Sequence, residues 1–283
     1  MSLDIIKQHD NKYLLTKQES GHWYAVSSSG EVTSRYDADL RIARKQGLFI
    51  SPTTIYKAVR ANGGLDLWKE NQLLKAFFST VRYMDEDDKA FAKRLKDIAM
   101  SKGSDAASFG TRVHDAIEHY PEVPSDESIL YQYTQYAQWH EENIIEVLSS
   151  EKMVAHRGIG VAGRCDRIAI HKDYGPVVID IKTMDVKEGK KPKPYESWCP
   201  QLAFYAYAEI HNGNLANVPT CINVVIDSNG VHPLTPIVWT PQDVAAGWKD
   251  FLATAWLWFT EKDYWPTGEE WGPTFSFKDG TVY

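Results

Sequence analysis

Cysteine is scarce in this sequence: Cys165, Cys199 and Cys221 are the only three in 283 residues, and they lie far apart. An odd, dispersed set excludes a disulfide framework and points to a reducing compartment. It also excludes an iron–sulfur cluster ligated by one chain, which takes four thiolates. Long apolar runs are missing as well. No stretch is long enough to cross a bilayer, and the opening MSLDIIKQHDNKYLL lacks the basic and apolar regions of a secretory leader. The expectation is a cytoplasmic protein without membrane association. Positive charge is not in excess either: the formal net charge is -7, which excludes a chain-wide electrostatic grip on nucleic acid but leaves room for a local basic groove. The local basic runs are RYDADLRIARK at 35–45, KRLK at 93–96 and KKPK at 190–193, each of which reads first as a solvated face.

What is present is an ordinary globular composition, 43% hydrophobic and 24% charged, with ten tryptophans to fill cores or to bind flat ligands. Residues 1–50 alternate in short runs such as HWYAVSS around a Ser29-Gly30 turn, which predicts a few strands and a polar connector. Ser51-Pro52 predicts a helix start, and Asn62-Gly63-Gly64 the end of that helix. Helical periodicity resumes in LDLWKENQLLKAFF and in DEDDKAFAKRLKDIAM. From Lys152 the pattern turns to strands: KMVAHRG, GRCDRIAIHK and PVVIDIKT, the last two joined by a turn at Asp173 to Pro176. A helix from Pro200 through QLAFYAYAEIH, a strand TCINVVID and a helix opening at Thr240-Pro241-Gln242-Asp243 follow. Residues 1–105 read as strands and helices packing on a core formed by 106–283.

Two acids and a lysine interrupt the apolar hairpin. In PVVIDIKT, Val177, Ile179 and Ile181 point to one face and Val178, Asp180 and Lys182 to the other. A turn centred near Asp173 and Tyr174 sets Asp166 opposite Asp180 or Ile181. Two carboxylates so placed repel unless a cation intervenes, and hard oxygen ligands suit Mg²⁺ or Mn²⁺ better than a closed zinc site. Lys182 shares the face of Asp180, where it could orient an attacking water or stabilise phosphate charge. The alternative is a set of solvated ion pairs, Asp180 with Lys182 and Asp166 with Arg164 or Arg167. Upstream, Thr111, His114 and Glu118 follow one another on one side of the amphipathic FGTRVHDAIEHY; downstream, Gln201 and Tyr205 are four apart on one helix face.

The ordered series GTRVH, GRCD, DIKT and QLAFY resembles the motifs of the PD-(D/E)XK nuclease superfamily, in particular its RecB-like branch, which includes phage and mitochondrial exonucleases. The resemblance covers about Ser108 to Glu209, with a weaker likeness in SPTTIYKAV. It implies a mixed central β-sheet flanked by helices, of the restriction-endonuclease type, with a mainly helical N-terminal extension. It implies that Asp166 and Asp180 ligate one or two Mg²⁺ or Mn²⁺ ions with the Ile181 carbonyl alongside. His114 would be a further ligand, Glu118 or Glu151 would supply an additional acid, and Lys182 would be the catalytic lysine. Gln201, with Tyr205 and Thr111, would position the lysine or the DNA. Cys165 stands where the superfamily name puts proline, and cluster-binding cysteines are absent. The activity that the resemblance implies is that of a metal-dependent deoxyribonuclease, an exonuclease favouring single-stranded ends, with a phage origin and a recombination or replication protein as partner. A catalytically inactive nucleic-acid-binding or assembly protein on the same fold, and a phosphoesterase for small substrates, remain as alternatives.

Overall fold

The computed structural model describes residues 21–60 and 63–272. The first 20 residues of the expected N-terminal strand region lie outside that range. β1 (Gly21–Val26) and β2 (Val32–Ala38) form a hairpin whose turn uses Gly30 at φ +92, a left-handed value that favours glycine. α1 (Leu40–Gln46) starts at Asp39, whose carboxylate accepts from the Ile42 amide at 2.8 Å, and stops at left-handed Gly47. After β3 (Phe49–Ile50), α2 (Pro52–Val59) begins as expected, with Ser51 Oγ accepting from the Thr54 amide. Its end differs. Arg60 turns extended and closes α2, whereas Gly63 and Gly64 open α3 (Gly63–Ser79).

The two helical stretches read separately upstream and downstream of residue 101 are one helix, α4 (Asp88–Glu118), 31 residues long and capped by Asp87. It runs through position 105/106, and β1 to β3 join the same sheet as the later strands. α5 (Leu130–Asn143), which no sequence signal foretold, leads into β4 (Ile144–His156), β5 (Val161–His171) and β6 (Gly175–Met184). α6 (Trp198–His211), β7 (Thr220–Asp227), β8 (Thr235–Trp239) and α7 (Pro241–Lys262) complete the order. The capping box expected at Thr240 and Asp243 is present.

The eight strands form one mixed sheet in the order β2-β1-β3-β5-β6-β7-β8, with β4 paired along β5. β5 runs antiparallel to both β4 and β6, while β3–β5 and β6–β7 are parallel pairs. One edge of β5 belongs to β4 throughout. The other is shared: β3 meets it at Val161, and β6 meets it only from Arg167 to His171. Between these two contacts the neighbouring strands splay apart, and residues 162–166 have no ladder partner on that edge.

Helices cover both faces, giving a mixed α/β sandwich of restriction-endonuclease type. α4 and α5 bury Val113, Ile117, Tyr136 and Trp139 against Val177, Ile179, Ile181 and Val224. α6 and α7 bury Leu202, Phe204, Phe251 and Phe259 against Ile50, Cys165, Ile168 and Val178 on the opposite face. The alternation read in β6 is therefore kept, but its second face is no open surface: it lies under α6, and Asp180 is only 2% exposed. The N-terminal half of α4 leaves the body and packs on α3 through a small cluster of Ala76, Leu95 and Ala99. Among the described residues no helix is long and apolar enough to cross a membrane.

Candidate active site

The splayed edge of β5 is where the charged residues collect. Arg167 pairs with Ile179, so Asp166 and Asp180 occupy the next step of the hairpin, just past the point where the β5–β6 ladder ends. There Asp166 turns its carboxylate to the backbone: Oδ2 accepts from the Ile181 amide at 2.7 Å. The side chain closes a gap that a strand carbonyl would otherwise fill.

From α4, His114 brings Nδ1 to 3.7 Å from the same Asp166 oxygen. From β4, Glu151 enters between the pairs Ser150–Arg167 and Lys152–Cys165, and so lies opposite Asp166. Glu151 has φ +48, a strained left-handed conformation for a residue other than glycine, and strain of this kind persists where the surroundings impose it. Potential ligand atoms of His114, Glu151 and Asp166 all lie within 4.8 Å of one another. Burial, reinforced by the Asp166 charge, pushes the Glu151 carboxyl up to about 7, although Arg164 Nε stands 2.6 Å from its Oε2. Arg164 therefore offsets only part of the cost of holding this second acid against the first. One imidazole nitrogen and two carboxylates suit a divalent ion such as Mn²⁺ or Mg²⁺, so the donor set fits the expected cofactor.

Asp180 sits behind this trio. Its Oδ2 accepts from Asn223 Nδ2 at 2.7 Å, its Oδ1 accepts from Gln201 Nε2 at 3.2 Å, and Lys182 Nζ lies 2.8 Å from Oδ1 and 2.7 Å from Oδ2. Burial raises the Asp180 carboxyl, Lys182 pulls it back, and Asp166 adds a further push upward. Asn223 stands opposite Asp180 in the parallel β6–β7 register and is itself held by Trp239 Nε1 at 2.8 Å. Neither residue was singled out in the sequence. The available signal was a lone amide inside the apolar strand TCINVVID.

Gln201 links the parts. Its Nε2 donates to Asp180 and, at 3.3 Å, to the Tyr205 hydroxyl, while Lys182 Nζ reaches its Oε1 at 3.5 Å. Tyr205 can lie this close because β5 carries Gly163: an added Cβ there would stand 2.9 Å from the tyrosine ring. In front is a cleft of about 260 Å³, lined by Thr111, His114, Glu151, Asp166, Gln201 and Tyr205. Gly163 and Arg164 from β5 and Asp115 from α4, together with His22, Tyr24 and Arg35 from the N-terminal hairpin and Ser51 and Thr53 around the start of α2, complete its wall.

Of the residues expected from the sequence, Thr111, His114, Asp166, Gln201 and Tyr205 line the cleft, and Asp180, Ile181 and Lys182 adjoin it through the contacts above. Glu118 is exposed one turn further along α4 and is not part of the ligand cluster; Glu151 is. The ion pairs of the alternative reading are met only for Asp180 with Lys182. Arg164 turns to Glu151, and the buried Arg167 bonds the Tyr136 hydroxyl, Ile117 O at 3.1 Å and Ser150 Oγ at 3.2 Å.

The family model of the PD-(D/E)XK nuclease superfamily matches residues 127–221. That segment, about a third of the chain, carries Glu151, Asp166, Asp180, Lys182, Gln201 and Tyr205 and is similar to this superfamily of nucleases. No curated protein matches the chain.

Proposed function

We propose that the protein is a Mg²⁺- or Mn²⁺-dependent deoxyribonuclease of the RecB-like branch that degrades DNA from its ends and favours single strands. The observation that carries this reading is the meeting of His114, Glu151 and Asp166 beside the Asp180–Lys182 pair at the splayed edge of β5. His114, Asp166 and Glu151 would hold the ion, with Asp180 and the Ile181 carbonyl next to it. When bound, the ion supplies acidification of a water and neutralisation of charge on the transferring phosphoryl group. Lys182 presents an ammonium to the same space and stabilises the phosphoryl oxygens as charge builds on them. Gln201 and Asn223 hold Asp180 by two of its oxygens' hydrogen bonds, which keeps Lys182 aimed. Arg35 and Arg164 place fixed positive charge on the cleft wall, where a phosphate backbone would pass. The preference for ends rests on the likeness to phage and mitochondrial exonucleases, and the setting in recombination or replication follows from the same likeness.

The test is to incubate the protein with linear and covalently closed circular DNA, single- and double-stranded, labelled at either end, in EDTA, Mg²⁺ or Mn²⁺. Metal-dependent loss of the linear forms alone, abolished by Lys182→Ala, is the expected result and gives the polarity. Cutting of closed circles would make the enzyme an endonuclease, and turnover that survives Lys182→Ala would remove the lysine from the chemistry.

A further inference from the structure

The segment joining β6 to α6 runs from Asp185 to Ser197, between the strand that carries Asp180 and Lys182 and the helix that carries Gln201 and Tyr205. Its root is tied down. The buried Asp227 at the end of β7 accepts from the Val186 amide at 3.1 Å and from the amides of Asn229, Val231 and His232, and Met184 O accepts from the Ser228 amide. Its tip is not. Lys187, Lys190, Lys191 and Lys193 are all exposed, and among the described residues none of them is paired with an acidic side chain. Lys190 N bonds Lys187 O across Gly189, which has φ +69, and the loop curls round a hollow of about 610 Å³ lined by all four lysines. Glu188 is the one acid from Lys187 to Tyr195, in a chain whose net charge is -7.

Met184, Asp185, Val186 and Pro192 share the lining with the four lysines; Asp185 accepts from Asn229 Nδ2 at 2.7 Å, so among the described residues the four like charges lie close together without an ion pair to offset them. Pro192 and Pro194 restrict the backbone between and beyond them, so the array is partly pre-ordered. Next comes Tyr195, 59% exposed, its ring braced edge-on against buried Trp198 at a centroid distance of 5.4 Å. A rigid exposed aromatic beside a row of unpaired cations is the combination that tracks a single strand, with the cations on the phosphates and the ring under a base.

We infer that the loop 187–195 is a binding site for the backbone of single-stranded nucleic acid, holding the strand whose neighbouring segment lies in the cleft. The inference rests on the reading that the chain acts on nucleic acid, and it sharpens the substrate class: a strand long enough to reach from cleft to loop is retained, while a mononucleotide is not.

The experiment measures binding of a fluorescent single-stranded oligonucleotide to the full chain in EDTA by anisotropy across a salt series. The variants are Tyr195→Ala and the fourfold Lys→Gln change at 187, 190, 191 and 193. Replacing four phosphate contacts lowers the slope of log affinity against log salt by about 3 and the affinity at least tenfold. Tyr195→Ala lowers affinity about tenfold and leaves the slope unchanged. Hydrolysis of bis(p-nitrophenyl) phosphate with Mn²⁺, measured in parallel, stays at the wild-type rate in both variants. An unchanged slope and affinity in the fourfold variant, or no binding by the wild type at low salt, would overturn the site. A Tyr195→Ala protein that binds as tightly as wild type would overturn the stacking contact. Absence of metal-dependent DNA cleavage in every protein alongside the expected binding losses would sink the nuclease reading and leave the loop standing.

Discussion

Asp166 has two tasks, and a pair of substitutions separates them. Its Oδ2 accepts the Ile181 amide where the β5–β6 ladder has ended, and the same carboxylate faces His114 and Glu151. Asparagine keeps an oxygen for the amide but loses the charge; alanine loses both. Asp166→Asn is expected to abolish metal-dependent cleavage with stability within about 1 kcal/mol of wild type, whereas Asp166→Ala costs a further ~1–3 kcal/mol through the unpaired Ile181 amide. Urea unfolding beside a cleavage assay reads both, and equal stability of the two variants would mean that the hydrogen bond contributes nothing. Asp166, Asp180 and Lys182 were legible in the sequence because a period of two fixes faces and a short turn fixes register. Glu151 was legible only through resemblance: its position depends on an irregular β4–β5 pairing and a left-handed residue, neither of which leaves a local pattern. Asn223 was hidden for a different reason, since a single amide in an apolar strand becomes meaningful only once parallel pairing places it across from Asp180.

Elements meet away from the site as well. His156 at the end of β4 stacks on His211 of α6 at 4.1 Å and faces Trp248 of α7 at 5.5 Å. Burial and then the neighbouring His211 push His156 down to about 4 from its ordinary value near 6.5. The unfolded chain therefore binds a proton at this residue more readily than the folded chain does. Stability from this site is complete above 6.5 and is lost as pH falls from there toward about 4. At ~1.4 kcal/mol per pKa unit the loss is on the order of 3 kcal/mol. His156→Phe, which keeps a flat ring in the stack, is expected to lose less stability than wild type across that window. Parallel slopes in denaturant titrations of the two proteins would show that the stack does not titrate. At this scale the helix starts at Ser51 and Thr240 and the strands β5 and β6 were readable, because caps and alternation are local. α5 was not: its buried Gln132, Tyr133, Tyr136 and Trp139 carry polar atoms and make a weak apolar stripe. The run of glycines at 63–64 misled for a related reason, since glycine marks an irregular backbone without saying which side of it the helix lies on.

Across the whole molecule α4 belongs to two environments. Its 31 residues extend about 46 Å. The first half rests on α3 through Ala76, Leu95 and Ala99, with Phe78 82% and Val81 82% exposed nearby; the second half buries Val113 and Ile117 completely against the sheet. Stability differs accordingly along one unbroken hydrogen-bonded rod. Native-state hydrogen exchange is expected to show amides near Leu95 and Ala99 opening at a lower free energy than those near Val113 and Ile117, and uniform protection along the helix would contradict this division.

Gly110 marks the place where the rod meets the body, so close to the end of β6 that an added Cβ would lie 2.8 Å from Thr183 Oγ1. Fraying that began at the outer end would meet its first close contact with the sheet at this firebreak. His114 stands one turn inside it, on the side held by the body, so the cleft does not depend on the outer arm for its shape.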